Sequence, residues 1–176
     1  ELRPFDEESA VAAARWFREA GILAIGVCFL HSYADPSHEL RMREILAREH
    51  PDAVVSLSCE VLREYREYER SVTTLVDAAV KPAMTGYLSR IAGRAAAPLL
   101  VMKSNGGVLS AEEVARQPIT TVLSGPAAGA LGAAFVVAHS GHGSVVTLDG
   151  GGTSTDVAVV LDGEPTLTTE GTIGRH

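Results

Sequence analysis

A run of three glycines between two apolar segments is the part of this chain with the clearest chemical character. It follows Asp149, which ends the apolar segment 145–148, and a second apolar segment, 157–160, comes shortly after. Glycine lacks a Cβ atom, so backbone N–H groups in such a loop can approach an anion closely. The pattern predicts a phosphate-binding hairpin, with a plain glycine-rich turn as the alternative. The predicted anion-binding residues are Gly150, Gly151, Gly152, Thr153 and Ser154.

Asp149 gives this hairpin its candidate metal ligand. Its carboxylate stands where it could hold the water shell of a Mg²⁺ ion that accompanies a nucleotide. A strand, not a helix, is predicted after the glycines, which distinguishes the hairpin from a P-loop and from a dinucleotide-binding fingerprint. Asp149 is therefore the predicted magnesium-binding and catalytic residue.

A second anion-binding element is predicted just upstream of the hairpin. The segment Ile119–Leu123 is read as a strand, and a helix is expected to follow it with Pro126 at the first helical position. The N-terminus of a helix offers unpaired N–H groups and the positive end of the helix dipole to an anion. Ser124 and Gly125 are accordingly predicted to contact a nucleotide as well.

Several motifs resemble known families. The order of strand, Gly-Pro-Ala-Ala helix, strand and Asp-x-Gly-Gly-Thr hairpin resembles the second lobe of the actin-like ATPase (ribonuclease H-like) α/β fold. A larger set of motifs is similar, in the same order, to the hydantoinase A/5-oxoprolinase family: Val27–Leu30, Ser56–Val61, Arg66–Ser71, Met102–Gly107, Ser110–Glu113, Leu123–Gly129 and Asp149–Val157. This resemblance covers nearly the whole chain. The chain departs from the usual family wording at Gly150, where a larger residue is common, and at Lys103, where glutamine is.

The family resemblance implies ATP-dependent opening of a cyclic amide such as hydantoin, N-methylhydantoin or 5-oxoproline, with ATP and Mg²⁺ as cofactors. It also implies a second subunit of the hydantoinase B type and an oligomeric assembly. Two alternatives stay open, namely the equivalent subunit of an ATP-dependent carboxylase and a non-catalytic structural module. Members of the family are much longer than 176 residues. The chain is therefore expected to be a fragment that supplies one wall of a nucleotide cleft and is inactive alone.

The composition narrows the classes of partner. Lys and Arg number 15 against 22 Asp and Glu, so the net charge is −7. An acidic chain of this kind is unsuited to nucleic acid or to an anionic membrane, because both select basic patches. No apolar run reaches the roughly 18 residues of a membrane span. A cytoplasmic location is expected, with Cys28 and Cys59 as reduced core thiols.

The alternation of apolar and helical patterns predicts three consecutive parts. They are residues 1–70, the C-terminal part of a first lobe built as a βαβ unit; residues 71–95, a bridging helix; and residues 96–176, the start of a second lobe with the phosphate hairpin. In the first part, apolar strands over Ile22–Leu30 and Ala53–Cys59 flank a helix that begins near Asp35-Pro36. Asp6 is expected to cap the helix before them.

Two further features of the first part are interpreted from position alone. His31 follows a buried strand, where parallel α/β sheets place ligands, and is a candidate on the substrate side. The charged segment Glu60–Arg70 favours a solvated, partly packed connector over a substrate-contacting loop. A long helix is predicted from Val72 to Ile91, with Pro82 inside it.

Overall fold

The computed structural model describes residues 4–152 and 155–166. The chain forms two compact units, Glu1–Leu99 with Ala111–Ile119 and Leu100–Ser110 with Thr120–His176. We call them unit 1 and unit 2. The division into 1–70, 71–95 and 96–176 stays a prediction. Among the described helices, none combines the length and the apolar character that a membrane span requires.

Unit 1 is a short parallel sheet with helices packed against it. Its elements are α1 (Glu7–Glu19), β1 (Ala24–Val27), α2 (Ser37–Glu49), β2 (Val54–Leu57), α3 (Ser58–Val61), α4 (Glu67–Ala92) and α5 (Ala111–Arg116). Strands β1 and β2 pair in parallel from Ala24↔Val54 to Val27↔Leu57, with α2 between them in sequence. The predicted βαβ unit is present.

The two strands are shorter than the apolar runs that predicted them. After Val27 the chain leaves the ladder, and the Phe29 N–H donates to the Glu39 carboxylate at 2.9 Å instead of to a neighbouring strand. After Leu57, Ser58 begins the short helix α3. Apolar character indicates burial, but it does not reveal where side-chain acceptors replace the strand partner.

Unit 1 has a core formed by α1, α2 and both strands. The residues of this core with 0–1% exposure are Ala14, Ile45, Leu46 and Leu57. Asp6 caps α1 as predicted, because its Oδ1 accepts the Ser9 N–H at 3.0 Å. A side-chain acceptor at this position satisfies one of the unpaired N–H groups of the first turn.

Helix α4 packs on β1 and β2. It begins at Glu67, five residues before the predicted start at Val72, and it continues past Pro82 to Ala92. The predicted partly packed connector is therefore shorter than Glu60–Arg70: residues 62–66 link α3 to α4 and are exposed or half-buried, whereas Arg70 already lies in the first turns of α4 and is fully buried. A charged residue can be buried when other groups pair with its charge. Arg70 forms an ion pair with Glu67 and donates a hydrogen bond to the Phe29 carbonyl.

The described residues of unit 2 form two antiparallel sheets and one long helix. Its elements are β3 (Leu100–Met102), β4 (Val108–Ser110), α6 (Ser124–His139), β5 (Val145–Gly150), β6 (Thr155–Leu161) and β7 (Glu164–Pro165). Strand β3 pairs with β4, and β5, β6 and β7 form a meander. Helix α6 packs on the β5–β7 sheet through Ala130 and Ala134, and their small side chains allow a close approach.

The segment Ile119–Leu123 is not a strand, contrary to the prediction. A 3₁₀ helix covers Pro118–Thr121, and Leu123 adopts a left-handed conformation with φ +66° as it enters α6. The backbone carbonyl of Thr120 accepts a hydrogen bond from the Ser104 N–H at 2.9 Å. Proline has no N–H to give to a sheet ladder, and a fixed φ suits a helical turn.

Candidate functional site

A cleft of about 220 Å³ lies in unit 2, between the first turns of α6 and the β5–β6 hairpin. Its lining residues are Pro126, Gly129, Ala130 and Ala133 from the helix and Thr147, Leu148, Asp149, Asp156, Val157 and Ala158 from the strands. Small and apolar side chains predominate, so the two aspartates are the charged groups among these lining residues. The cleft is where the predicted phosphate hairpin and the predicted anion-binding helix meet.

The hairpin has the strand–turn–strand form expected from the sequence. Strands β5 and β6 are antiparallel, with Asp149 opposite Asp156 and Gly150 opposite Thr155, and a four-residue connection spans 151–154. Thr153 and Ser154 lie outside the described residues, and their predicted role stays a prediction. Gly151 and Gly152 belong to the connection, beyond the residues that line the cleft.

Gly150 differs from the expectation of a left-handed loop glycine. It is the last residue of β5, its φ is not in the left-handed region, and a Cβ atom there would meet nothing within 4 Å. A larger residue could therefore stand at this position without a steric penalty. The backbone at the start of the connection is extended, and any anion contact by Gly150 would use strand geometry.

Asp149 and Asp156 bring two carboxylates to one face of the sheet. They are register partners, and directly opposed residues of an antiparallel pair point to the same side with Cβ atoms about 4.5–5.5 Å apart. Asp149 is exposed and Asp156 half-buried. Sequence reasoning selected Asp149 and missed Asp156. The sequence does contain the information that locates Asp156. A four-residue hairpin connection over 151–154 places residue 149 opposite residue 156.

Gly129 sets the distance between α6 and the hairpin. A Cβ atom built on Gly129 would lie 3.4 Å from Asp149 Oδ2, so the helix surface and this carboxylate are almost in contact. A glycine at this position leaves the space beside the carboxylate open. The sequence identified the small residues of this helix, but it could not place one of them next to Asp149.

The N-terminus of α6 begins beside the cleft. Leu123 occupies the N-cap position, and its side chain cannot accept the N–H groups of the first turn; the described residues supply no side-chain cap hydrogen bond there. Ser124 is half-buried, Gly125 is exposed, and both precede the cleft-lining Pro126. Pro126 is the third helical residue and not the first, as was predicted. The third position still suits proline, because the N–H groups of the first turn have no carbonyl partner within the helix. An anion at this end would meet unpaired donors and a favourable dipole.

The residues of the cleft fit a magnesium nucleotide. Carboxylate oxygens are the hard ligands that Mg²⁺ prefers, and Mg²⁺ commonly keeps several waters while one or two carboxylates hold it. Asp149 and Asp156 supply two such groups. Across the part of the chain that the structure describes, no cluster of three potential metal-ligating side chains occurs.

His31 belongs to unit 1. It follows β1 with a left-handed backbone at φ +61°, and its side chain is exposed. Its backbone N–H donates to Glu67 Oε1 at 3.0 Å. The position at the carboxyl end of a parallel strand agrees with the prediction, and a role toward substrate stays a proposal.

Comparison with known protein families gives two matches. The family model described as Hydantoinase/oxoprolinase matches residues 70–176. The model described as the N-terminal region of the same family, Hydantoinase/oxoprolinase N-terminal region, matches residues 1–50. The two matches lie in the order that the sequence motifs follow.

Individual relatives agree with the family models. The chain is 32% identical over 181 residues to caprolactamase subunit alpha from Pseudomonas jessenii, and the match covers 100% of this chain and 26% of that protein. It is 34% identical over 163 residues to the 5-oxoprolinase of Saccharomyces cerevisiae, covering 90% of this chain and 12% of that one. The chain thus spans about a quarter and about an eighth of these two relatives.

A solved structure extends the likeness to three dimensions. The nucleotide-free structure of acetone carboxylase matches with a TM-score of 0.81 at 31% identity, over 93% of this chain and 24% of that chain. Together with the mixed α/β architecture, this match confirms the predicted actin-like ATPase fold.

Proposed function

Because this chain belongs to the hydantoinase/oxoprolinase family, we propose that it is part of an ATP-dependent hydrolase that opens a cyclic amide, and that unit 2 holds the nucleotide phosphates. The observation that carries the proposal is the pair Asp149 and Asp156 facing the start of α6 across one cleft. Two carboxylates and a helix N-terminus together suit a divalent cation and the phosphates that it accompanies.

Relatives support the nucleotide and the reaction class. Caprolactamase from Pseudomonas jessenii is ATP-dependent, and the yeast relative is a 5-oxoprolinase. Both names describe proteins that act on a cyclic amide. By analogy, the substrate class proposed for this chain is a small cyclic amide.

The residues of unit 2 have separate tasks in this proposal. Asp149 and Asp156 would hold Mg²⁺ through its water shell, and the first N–H groups of α6, at Ser124 and Gly125, would donate hydrogen bonds to a phosphate oxygen. Gly150 and the connection 151–154 would contribute backbone and hydroxyl donors to the phosphates. When bound, Mg·ATP supplies a phosphoryl group that makes the amide carbon a better electrophile. The contribution of the chain is positioning and charge neutralisation.

A second candidate function is ATP-dependent carboxylation. It is favoured by the match to the structure of acetone carboxylase, an enzyme of ATP-dependent acetone carboxylation. The same cleft would then serve activation of bicarbonate or of the carboxylated substrate. The nucleotide site proposed here is common to both candidates, and the substrate distinguishes them.

The assembly and location are also proposals. The Pseudomonas jessenii relative is named as subunit alpha, which supports a multi-subunit complex with a partner of the hydantoinase B type. A cytoplasmic location is proposed because the nucleotide is available there and because Cys28 and Cys59 are free thiols.

The experiment uses the full-length protein and measures binding and products separately. Mg·ATP is titrated by calorimetry, and products are analysed after incubation with hydantoin, 5-oxoproline, caprolactam, or acetone with bicarbonate. ATP-dependent appearance of a ring-opened amino acid supports the hydrolase. ATP-dependent incorporation of bicarbonate carbon supports the carboxylase. Absence of nucleotide binding would leave the non-catalytic module as the function.

A further inference from the structure

The loop Phe29–Tyr33 of unit 1 connects β1 to α2 at the carboxyl end of the parallel sheet. We propose that this loop contacts the cyclic amide, with His31 as the side chain that hydrogen-bonds the amide group and Leu30 as the side chain that packs on the ring. The inference rests on the proposed function for its substrate class. Direct binding of the cyclic amide and ATP-dependent turnover are separate measurements, so failure of the loop contact and failure of the proposed function are distinguishable.

The loop lies where a parallel sheet offers a ligand site. Strands β1 and β2 run in parallel, so both strands end at the same edge of the sheet, after Val27 and Leu57. Ligands of open α/β sheets bind outside the carboxyl ends of the strands. Phe29 to Tyr33 is the segment that follows β1 at this edge.

Buried charges hold the backbone of the loop from two helices. The Phe29 N–H donates to Glu39 Oε1 of α2 at 2.9 Å, and the Phe29 carbonyl accepts Arg70 Nη2 of α4 at 2.7 Å. Arg70 also pairs with Glu67, whose Oε1 accepts the His31 N–H. Glu39 and Arg70 are fully buried. Burying a charge is unfavourable unless the charge is well paired, and here the paired groups hold a surface loop in place.

His31 is held in an unfavourable backbone conformation. Its φ of +61° is left-handed, which is unfavourable for a residue with a Cβ atom. Such residues persist only when their surroundings determine them, and they cluster at ligand sites. The Glu67–Arg70 pair is the local determinant, so these two residues are positioning residues for the loop.

The side chains that the loop presents match a small cyclic amide. Leu30 is 76% exposed. The next residue, His31, has an exposed imidazole that stands edge-on to the Tyr33 ring, with 6.2 Å between the ring centroids. Within the described chain the imidazole makes no hydrogen bond. A cyclic amide has ring methylenes and one polar edge that both donates and accepts. An exposed leucine next to an imidazole, whose two ring nitrogens can hydrogen-bond, is complementary to both parts.

The test begins with direct binding and does not require turnover. The full-length protein is treated with diethyl pyrocarbonate, which modifies exposed histidines, and modification of His31 and His142 is measured by mass spectrometry. His142 is an exposed histidine of unit 2 and serves as the internal control. The probes are hydantoin, 5-oxoproline and caprolactam, each with and without Mg·ATP. Protection of His31 by at least one probe, with His142 unprotected, is expected.

Variants add a kinetic measurement. His31→Asn keeps a residue that tolerates φ > 0 and removes the imidazole, while His142→Asn is the matched control. For His31→Asn we expect the KM for the cyclic amide to rise about tenfold or more, the size of one lost hydrogen bond, with Mg·ATP affinity and melting temperature unchanged. Arg70→Lys should raise the same KM, because lysine cannot hold the Phe29 carbonyl and Glu67 together.

The outcomes separate the two proposals. If no probe protects His31, the loop is structural and the inference is overturned, whatever the protein catalyses. If a probe protects His31 while no ATP-dependent turnover occurs, the proposed function fails and the binding loop stands. If turnover occurs and His31→Asn has the KM of the wild type, the proposed function stands and His31 is not a substrate contact.

Discussion

Asp149 and Asp156 stand directly opposite each other across the β5–β6 ladder, and both line the cleft beside α6. Like charges opposed in this way destabilise an antiparallel pair by up to about 1 kcal/mol. A hairpin that only had to fold would gain stability from replacing one of them. In the proposed function a bound Mg²⁺ would remove this repulsion, and unit 2 should then be more stable with Mg²⁺ than without it.

We expect Asp156→Asn to raise the melting temperature of the protein in magnesium-free buffer, by the equivalent of about 0.2–1 kcal/mol. The same variant should lose the stabilisation that Mg²⁺ gives the wild type and should need about tenfold more Mg²⁺ for turnover. Thermal unfolding with and without Mg²⁺ measures both effects. Asp149→Asn should behave in the same way.

Asp162→Asn is the matched control for this pair. Asp162 is exposed in the turn between β6 and β7 and has φ +52°, a conformation that asparagine also adopts. Its substitution should leave the magnesium response unchanged. A wild-type magnesium response in Asp156→Asn would show that Asp156 is a turn-proximal strand residue without a metal role.

Gly129 and Gly132 offer a second matched comparison. Both are exposed helical glycines, and leucine should raise helix stability at either position by about 0.5–1 kcal/mol. A side chain at Gly129 would enter the cleft, because its Cβ already lies 3.4 Å from Asp149 Oδ2, whereas a Cβ at Gly132 meets nothing within 4 Å. Gly129→Leu should therefore weaken ATP binding about tenfold or more, and Gly132→Leu should not. Equal calorimetric affinities for the two variants would place the nucleotide elsewhere.

Local sequence signals predicted those parts of the fold that local chemistry determines. The Asp6 cap, the βαβ unit and the β5–β6 hairpin each depend on a pattern of a few neighbouring residues. The expected strand at Ile119–Leu123 was wrong, because apolar β-branched residues also suit a 3₁₀ turn when Pro118 removes an N–H and Ser104 supplies the donor for the Thr120 carbonyl.

Features that depend on distant partners were not predictable in the same way. Arg70 lies in a charged sequence, yet its burial follows from Phe29, which is 41 residues away. Asp156 became part of the candidate site only through the register of the hairpin. Gly129 was recognised as a small helix residue, and its closeness to Asp149 required the packing of α6 on the sheet.

Glu39 should make the stability of unit 1 depend on pH. Burial raises the pKa of this carboxyl, but hydrogen bonds from the Ser58 hydroxyl and from the Cys59 and Phe29 backbone N–H groups outweigh it, so the pKa lies below the ordinary 4.5. A carboxyl whose pKa is lower in the folded than in the unfolded protein contributes its full stabilisation at pH values above its pKa in the unfolded protein. This contribution is lost as the pH falls through its pKa in the folded protein.

Glu39→Gln tests this contribution. Near neutral pH the variant should lose about 1–3 kcal/mol of unfolding free energy, since glutamine cannot accept from all three donors. The difference from the wild type should shrink as the pH falls below 4.5. Glu44→Gln, on the exposed side of α2, should change little at any pH. Denaturant unfolding at a series of pH values measures the difference, and a constant difference across the series would contradict the assignment.

Cys59 should be unreactive in the folded protein. Burial, with the Glu39 carboxylate as the next cause, raises the pKa of its thiol to about 12. Only the thiolate is nucleophilic, so near pH 8 roughly one Cys59 in ten thousand would be reactive at any moment. Cys28→Ala leaves Cys59 as the single thiol of this chain, and Cys59→Ala leaves Cys28. Native alkylation of Cys59 by iodoacetamide, followed by mass spectrometry, should be more than about 100-fold slower than in denaturant, where the ordinary pKa returns. Alkylation of Cys59 at the denatured rate in the native protein would mean that Glu39 and the end of β2 do not enclose this thiol in solution.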